Sequence, residues 1–211
     1  MAFAVDRDLL ALEPSLFERV WWIGQRLVSG TGSLSGSMLL MSSQDVAFDA
    51  ARITMGHVVV VGGVTLEVVV PAGATSLGVS RVRPTDESEV IPPGDIENAA
   101  VRLVTFAPQI EDVHRRVLRM LGVDPDGGEG SLDASAVLNG HSLARLEALG
   151  ALHMVFSASS VGGDSIEREK AEWYRVRFDQ ERRRVRARID LDGDGRADVT
   201  RRVSVSRVVR V

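Results

Sequence analysis

The 211-residue chain contains no cysteine. That absence excludes disulfides, thiolate metal sites and a cysteine nucleophile, and it fits a reducing cytoplasm. Lysine is nearly missing as well: Lys170 is the only one among 25 basic residues. So strong an arginine bias is expected of a GC-rich coding sequence as much as of chemistry. No apolar run approaches the roughly 20 residues needed to cross a bilayer. The N-terminus, MAFAVDRDLL, meets acidic residues too early for a secretory signal. The expectation is a soluble protein that makes no membrane contact and stays in the compartment that made it. Seven prolines and 20 glycines are too few to imply disorder. A hydrophobic content of 45% supports a real core, in one ordinary domain or two small ones.

Charge is placed unevenly. Residues 1–100 carry 6 basic and 12 acidic side chains, whereas residues 167–188 carry 9 basic and 5 acidic, within a net charge of −4. The chain is therefore electrically polar along its length.

Hydrophobic periodicity divides the chain into four segments. In EPSLFERVWWIGQRLV, Pro14 suits a first helical turn, and Leu16, Val20, Ile23 and Leu27 recur at helical spacing. The spacing predicts one amphipathic helix within residues 1–28. Residues 29–106 then switch to short β-rich runs broken by glycine turns, with Gly62 and Gly63 the clearest hairpin signal, which predicts a small antiparallel sheet or barrel. Within it, PTDESEVIPPGDIENAA (84–100) reads as a long exposed acidic loop, before AVRLVTF returns to the sheet.

Residues 107–189 read as a three-helix bundle. Ile110, Val113, Val117 and Leu121 form the stripe of a first helix that stops near Gly122. HSLARLEALGALHMVFSASS is apolar on most sides, as expected of a central helix. IEREKAEWYRVRFDQERRRVRARID predicts a long third helix over 166–189, with Ala171, Tyr174, Phe178, Val185 and Ile189 as its seam and arginines over its remaining surface. Residues 190–211 form an aspartate-rich turn followed by an extended arm, TRRVSVSRVVRV, whose alternation reads as a strand without a hairpin partner of its own.

The fold class expected is α+β: a helical bundle with a long C-terminal helix, a small barrel-like antiparallel region and an extended terminal strand. No internal repeat of 20–50 residues accompanies it.

The most chemical-looking motif is IDLDGDGRADVT, 189–200. Asp190, Asp192 and Asp194 alternate, Gly195 permits a sharp turn, and Asp198 falls at the ninth position of a calcium loop. The twelfth position is Arg201, where a calcium hand needs a bidentate glutamate. Two readings stay open: a structural Ca2+ held by Asp190, Asp192, Asp194 and Asp198, or a turn whose aspartates bond neighbouring backbone N–H groups. Elsewhere, GTGSLSG has the wrong spacing for a phosphate loop, with no lysine and a strand following. His57, His114, His141 and His153 show no metal spacing and no partner pattern, so they read as satisfied or exposed histidines. Overall acidity argues against a dedicated nucleic-acid binder. No catalytic constellation appears, and no enzyme is expected.

The order of parts in residues 107–211 resembles a known family. A buried alanine- and leucine-rich helix (LARLEALGALHMVFSASS), a long charged helix (AEWYRVRFDQERRRVRARIDLDGDG) and a short basic extended tail (ADVTRRVSVSRVVRV) are similar to those of the head-to-tail connector, or adaptor, proteins of tailed bacteriophages. The resemblance implies a structural virion protein of the head–tail junction, assembled in the host cytoplasm. It implies a homo-oligomeric ring, commonly dodecameric, that docks on the portal protein, offers a surface to a neck or tail protein and touches exiting DNA transiently. It also implies that the arm, residues 199–211, pairs with a portal or neighbouring subunit through Arg201, Arg202, Val203, Val205, Arg207, Val208 and Val209. The β-rich insertion at 29–106 departs from the smallest helical adaptors. Another neck or tail-completion protein is the first alternative, and a calcium-dependent binding module the second.

Overall fold

Strands and glycine turns build one unit, Asp6–Phe106, and helices with a terminal hairpin build a second, Met1–Val5 with Ala107–Val211. The computed structural model describes residues 2–128, 131–160 and 165–203. It is a mixed α and β fold with a closed antiparallel barrel and a long helix.

The single helix expected within residues 1–28 does not form. Two short helices, α1 (Asp6–Leu12) and α2 (Leu16–Arg19), are followed by extended backbone at Trp22, a 3-10 turn at Ile23–Gln25 and a strand from Arg26. The expected stripe fails at Ile23, which is 77% exposed. Gly24 and the β-branched Val20, Ile23 and Val28 give this stretch little helical preference. Pairing of the following strand on both of its sides then decides its conformation.

The barrel comprises β1 (Arg26–Ser35), β2 (Met38–Gln44), β3 (Val58–Val61), β4 (Val64–Pro71), β5 (Ser76–Ser80) and β6 (Ile96–Val104). Their spatial order is β1-β2-β5-β4-β3-β6, and β6 closes back on β1. Closure leaves no unpaired edge to aggregate. Gly62 and Gly63 make the β3–β4 hairpin as expected: both have positive φ (57° and 84°), which a two-residue turn of this hand requires. At Gly30 the reason for glycine is proximity, since a Cβ there would lie 2.0 Å from the Ser43 carbonyl oxygen. Inward-facing Val28, Leu34, Leu39, Leu66, Leu77 and Leu103 fill the barrel, joined by Phe48 and Ile53 from the β2–β3 connection. GTGSLSG lies mostly within β1 and ends in its turn to β2.

In the second unit, α3 (Ala107–Leu121) buries the expected stripe of Ile110, Val113, Val117 and Leu121, and the chain breaks at Gly122 with φ 71°. Helix α4 (His141–Ser159) packs against both α3 and α5 (Ser165–Arg184), with Leu143, Leu146, Leu149, Leu152, Val155 and Phe156 buried around it. Tyr174 of α5 stacks on Phe156 with ring centroids 5.6 Å apart.

The long helix expected over 166–189 ends at Arg184. Residues Arg186–Ile189 instead form β7, which pairs antiparallel with β8 (Val199–Arg202). The first residues of the expected terminal strand, Val199–Arg202, therefore have a hairpin partner that the sequence did not reveal, whereas residues 204–211 of the expected arm lie outside the described residues. The physical reason is a change of period: Arg186 and Arg188 point outward while Ala187 and Ile189 are buried. The Asn139 side chain then holds the far edge of β7, donating to the Arg186 carbonyl at 2.9 Å and accepting from the Arg188 N–H at 2.7 Å.

Candidate interaction surfaces

The aspartate motif is the loop of the β7–β8 hairpin, and so it does not join a long helix to an arm. Asp190 is 6% exposed and organises the turn. One of its oxygens accepts the N–H groups of Asp192 (3.2 Å) and Gly193 (2.7 Å), and the other accepts that of Gly195 (2.7 Å). These donors, Gly195 first, hold its carboxyl below the ordinary range. Asp192 accepts the N–H of Asp194, Asp194 that of Arg196, and Asp198 that of Leu191. Oxygens of Asp190, Asp192 and Asp194 lie within 4.8 Å of one another, a spacing that could hold a hard cation; Asp198 is not in that group.

Of the residues assigned to partner contact, Arg201 and Val203 are committed within the chain. Arg201 donates from Nη1 to the Leu121 carbonyl at 2.6 Å, which satisfies the C-terminal end of α3, and Val203 is fully buried. They anchor the hairpin to its own unit. Arg202 is exposed, whereas Val205, Arg207, Val208 and Val209 lie outside the described residues.

The outward face of the hairpin is cationic. Arg186 stands opposite Arg202 in the ladder, and Arg188 opposite Thr200. All four are exposed, and no carboxylate among the described residues pairs with any of the three arginines.

Helix α5 offers a different surface. Its buried seam includes Ala171 and Tyr174, yet Ile166, Trp173 and Val176 remain 51%, 50% and 40% exposed. Their spacing of seven and three places them on one face of the helix. Arg177 covers part of Trp173, its guanidinium carbon 4.3 Å from the ring centroid. Elsewhere on α5, Arg175 pairs with Glu172 and Asp179, and Arg182 with Asp179.

No protein-family model, curated protein or solved structure matches the chain.

The acidic loop of the barrel unit rests on a buried ionic cluster that the sequence reading missed. Glu67 in β4 is fully buried and pairs with Arg7 of α1 and with Arg83, itself 4% exposed. One Glu67 oxygen accepts both the backbone N–H (3.0 Å) and the Nε–H (2.6 Å) of Arg83. From there, Arg83 Nη1 donates to the carbonyls of Asp86 (2.7 Å) and Ser88 (2.9 Å), and Arg7 pairs with the Asp86 carboxylate at 2.5 Å. The Ile91 N–H donates to Ser80 Oγ at 2.8 Å and the Arg81 N–H to the Ile91 carbonyl at 3.0 Å, tying both ends of the segment. The cluster presents Glu87, Glu89, Val90 and Ile91 to solvent on a fixed backbone. The only hint in the sequence is a charged residue, Glu67, inside the otherwise uncharged, valine-rich VTLEVVV.

A second buried pair explains one histidine. Glu147, the lone charge in the apolar core of α4, accepts from the N–H groups of Phe3 (2.8 Å) and Ala4 (2.9 Å) and bonds His114 Nδ1 at 2.7 Å. A carboxylate beside an imidazole resembles a general-base dyad, but His114 is 2% exposed and Glu147 not at all. The pair clamps the N-terminal residues onto α3 and α4 and offers no opening to a substrate.

Proposed function

We propose that this chain is a structural subunit of a ring-shaped head-to-tail connector, an adaptor that docks on the portal of a tailed bacteriophage particle and links the capsid to its neck or tail. The observation that carries this reading is the uncovered stripe of Ile166, Trp173 and Val176 on α5. A helix already anchored through Ala171 and Tyr174 has no need of a second apolar face for its own unit. Fully burying a large apolar side chain is worth about 1.5–3 kcal/mol, so covering these half-exposed ones gains roughly 1 kcal/mol apiece, repeated at every subunit junction. In this reading α3, α4 and α5 form the bundle of the adaptor, α5 is its ring-forming spine, and a second copy covers the stripe. Residues beyond the hairpin supply the contact with the portal. The role is assembly, not catalysis.

The closed barrel favours one second reading, a neck or tail-completion component on the tail side of the same junction. Electron microscopy of the purified full chain tests the ring: particles of many copies around a central hole are expected, and an obligate monomer under assembly conditions would refute it. Deleting residues 204–211, which leaves the β7–β8 hairpin and its anchors Arg201 and Val203 in place, tests the arm, with loss of portal attachment expected and normal attachment excluding that role.

A further inference from the structure

We propose that the arginine face of the β7–β8 hairpin in one copy of this chain docks the acidic loop, residues 84–91, of a second copy, joining subunits head to tail. The inference rests on the ring reading and gives its junction a chemical identity.

The hairpin face calls for an anion. Arg186 and Arg202 are direct cross-strand partners, which places their Cβ atoms about 5 Å apart, and like charges so opposed weaken a ladder. Arg188 adds a third guanidinium two residues along the same face, beside the Thr200 hydroxyl. Asn139 at the edge of β7, with Arg201 and buried Val203, tethers the hairpin backbone, so the three arginines project from a fixed ladder.

The chain carries a matching anion. Between Arg83 and Arg102 there is no basic residue, but there are five acidic ones: Asp86, Glu87, Glu89, Asp95 and Glu97. Glu87 and Glu89 are exposed, and no cation among the described residues pairs with them. Arg83 and Glu67 hold their backbone in place, so little ordering entropy is lost when the loop is bound. Exposed Val90 and Ile91 beside the carboxylates add apolar area to a contact that charge would orient.

Nucleic-acid phosphate is the competing anion. A net charge of −4, with 12 acidic against 6 basic side chains in residues 1–100, repels a polyanion at long range. A second copy brings its acidic loop at equal stoichiometry. Because the two patches differ, the contact is heterologous: it forms a ring if its rotation closes.

Sedimentation of the full chain over a concentration series tests the contact. It is run in about 0.1 M salt and in about 1 M, where the screening length falls to about 3 Å. Wild type is expected to self-associate at low salt and to weaken in high salt. The variants R186E/R188E/R202E and E87R/E89R should each lose about 100-fold in self-association, and an equimolar mixture should recover to within about tenfold of wild type, because each reversed patch meets its reversed complement. The milder R186Q/R188Q/R202Q, expected to lose about tenfold, guards against misfolding, with circular dichroism melting of every variant as the check.

Wild-type assembly untouched by either reversal overturns the contact and leaves the ring reading standing. A wild type that never associates overturns both. Failure of folded variants to rescue one another also overturns the contact. So does a hairpin variant, R186E/R188E/R202E, that assembles normally but loses retention on duplex DNA, which would reassign the face to phosphate.

Discussion

Glu67→Gln is the substitution with the largest predicted cost for its size. The carboxylate lies at full burial between two guanidinium groups, with Arg83 4% and Arg7 10% exposed at the side chain. Glutamine preserves the volume, but it removes the charge and turns one acceptor into a donor facing a donor. Breaking a buried ion pair by removing one partner costs about 3–5 kcal/mol, because the surviving charge is left desolvated. The barrel unit should lose stability of that order. The triple replacement R7M/E67L/R83M removes all three charges together and should recover most of the loss, since well-packed apolar groups often match a buried ionic cluster. It should nevertheless release residues 84–91, whose Asp86 and Ser88 carbonyls depend on Arg83. Urea unfolding followed by fluorescence in a Trp173→Phe background reports on Trp21 and Trp22 alone, and amide exchange reports on the loop. A loss below about 1 kcal/mol for Glu67→Gln, or a loop equally protected in the triple variant, would refute the assignment of Glu67 as the organising charge.

Four further outcomes follow from individual groups. Asp190 titrates below the ordinary carboxylate range because Gly195 and its neighbours donate to the ionised form; its stabilisation is present above the unfolded value near 3.8 and is lost as pH falls through the depressed folded value, so D190N should flatten that acid limb in melting experiments. The same N–H groups complete the hairpin loop without metal, so chelator or added Ca2+ should leave the melting temperature unchanged; a rise with Ca2+ would assign the cluster to a cation. Asp6 behaves in the opposite sense: burial raises its carboxyl from 3.8 to about 6, against the opposing hydrogen bonds of Phe106 and Thr105. Its contribution is full below the unfolded value and is lost as pH rises through about 6. The stability difference between D6N and wild type should therefore change by up to about 3 kcal/mol over that window, and a flat difference would exclude the shift. Finally, Gly30→Ala should cost the barrel about 1–3 kcal/mol or more in urea, because the new methyl meets the Ser43 carbonyl and the strands must part.

Much of the barrel was legible because its signals are local. Gly62 and Gly63 mark a hairpin through backbone freedom, and the alternation in β1 and β2 follows the pleat. A barrel-like region with a returning last strand was expected, but the register that closes it was not legible: the β1–β6 pairing joins residues about seventy positions apart through two register shifts. The N-terminal segment misled for the converse reason. Leu16 and Val20 do fall on a buried face, but Leu27 belongs to the barrel strand that follows, so a helical period was read across a boundary set by long-range pairing. At the other end, Val185 and Ile189 fit a four-residue helical step, while Arg186, Ala187, Arg188 and Ile189 fit a two-residue strand step. Both periods are present in the same five residues, and the Asn139 clamp, some fifty positions upstream, selects the strand.

That choice relocates the positive charge. Read along the sequence, the basic residues of 167–188 belong to one arginine-covered helix. In the fold, Arg175 and Arg182 are paired along α5 with Glu172 and Asp179, and Lys170 and Arg177 lie over the rings of Phe156 and Trp173. Arg186 and Arg188 leave the helix altogether and join Arg202 on a two-stranded face. A uniformly basic helix would bind polyanions through diffuse attraction. A helix with internal ion pairs and an apolar stripe, followed by three arginines on one face of a hairpin, is suited to a protein surface that offers carboxylates and apolar side chains together. The loop held up by Arg83 is such a surface, and its carboxylates Glu87 and Glu89 stand beside Val90 and Ile91. The polarity that composition shows as an excess of acid early and base late becomes, in the fold, a patch of carboxylates on residues 84–91 of one unit and a patch of arginines on the β7–β8 hairpin of the other.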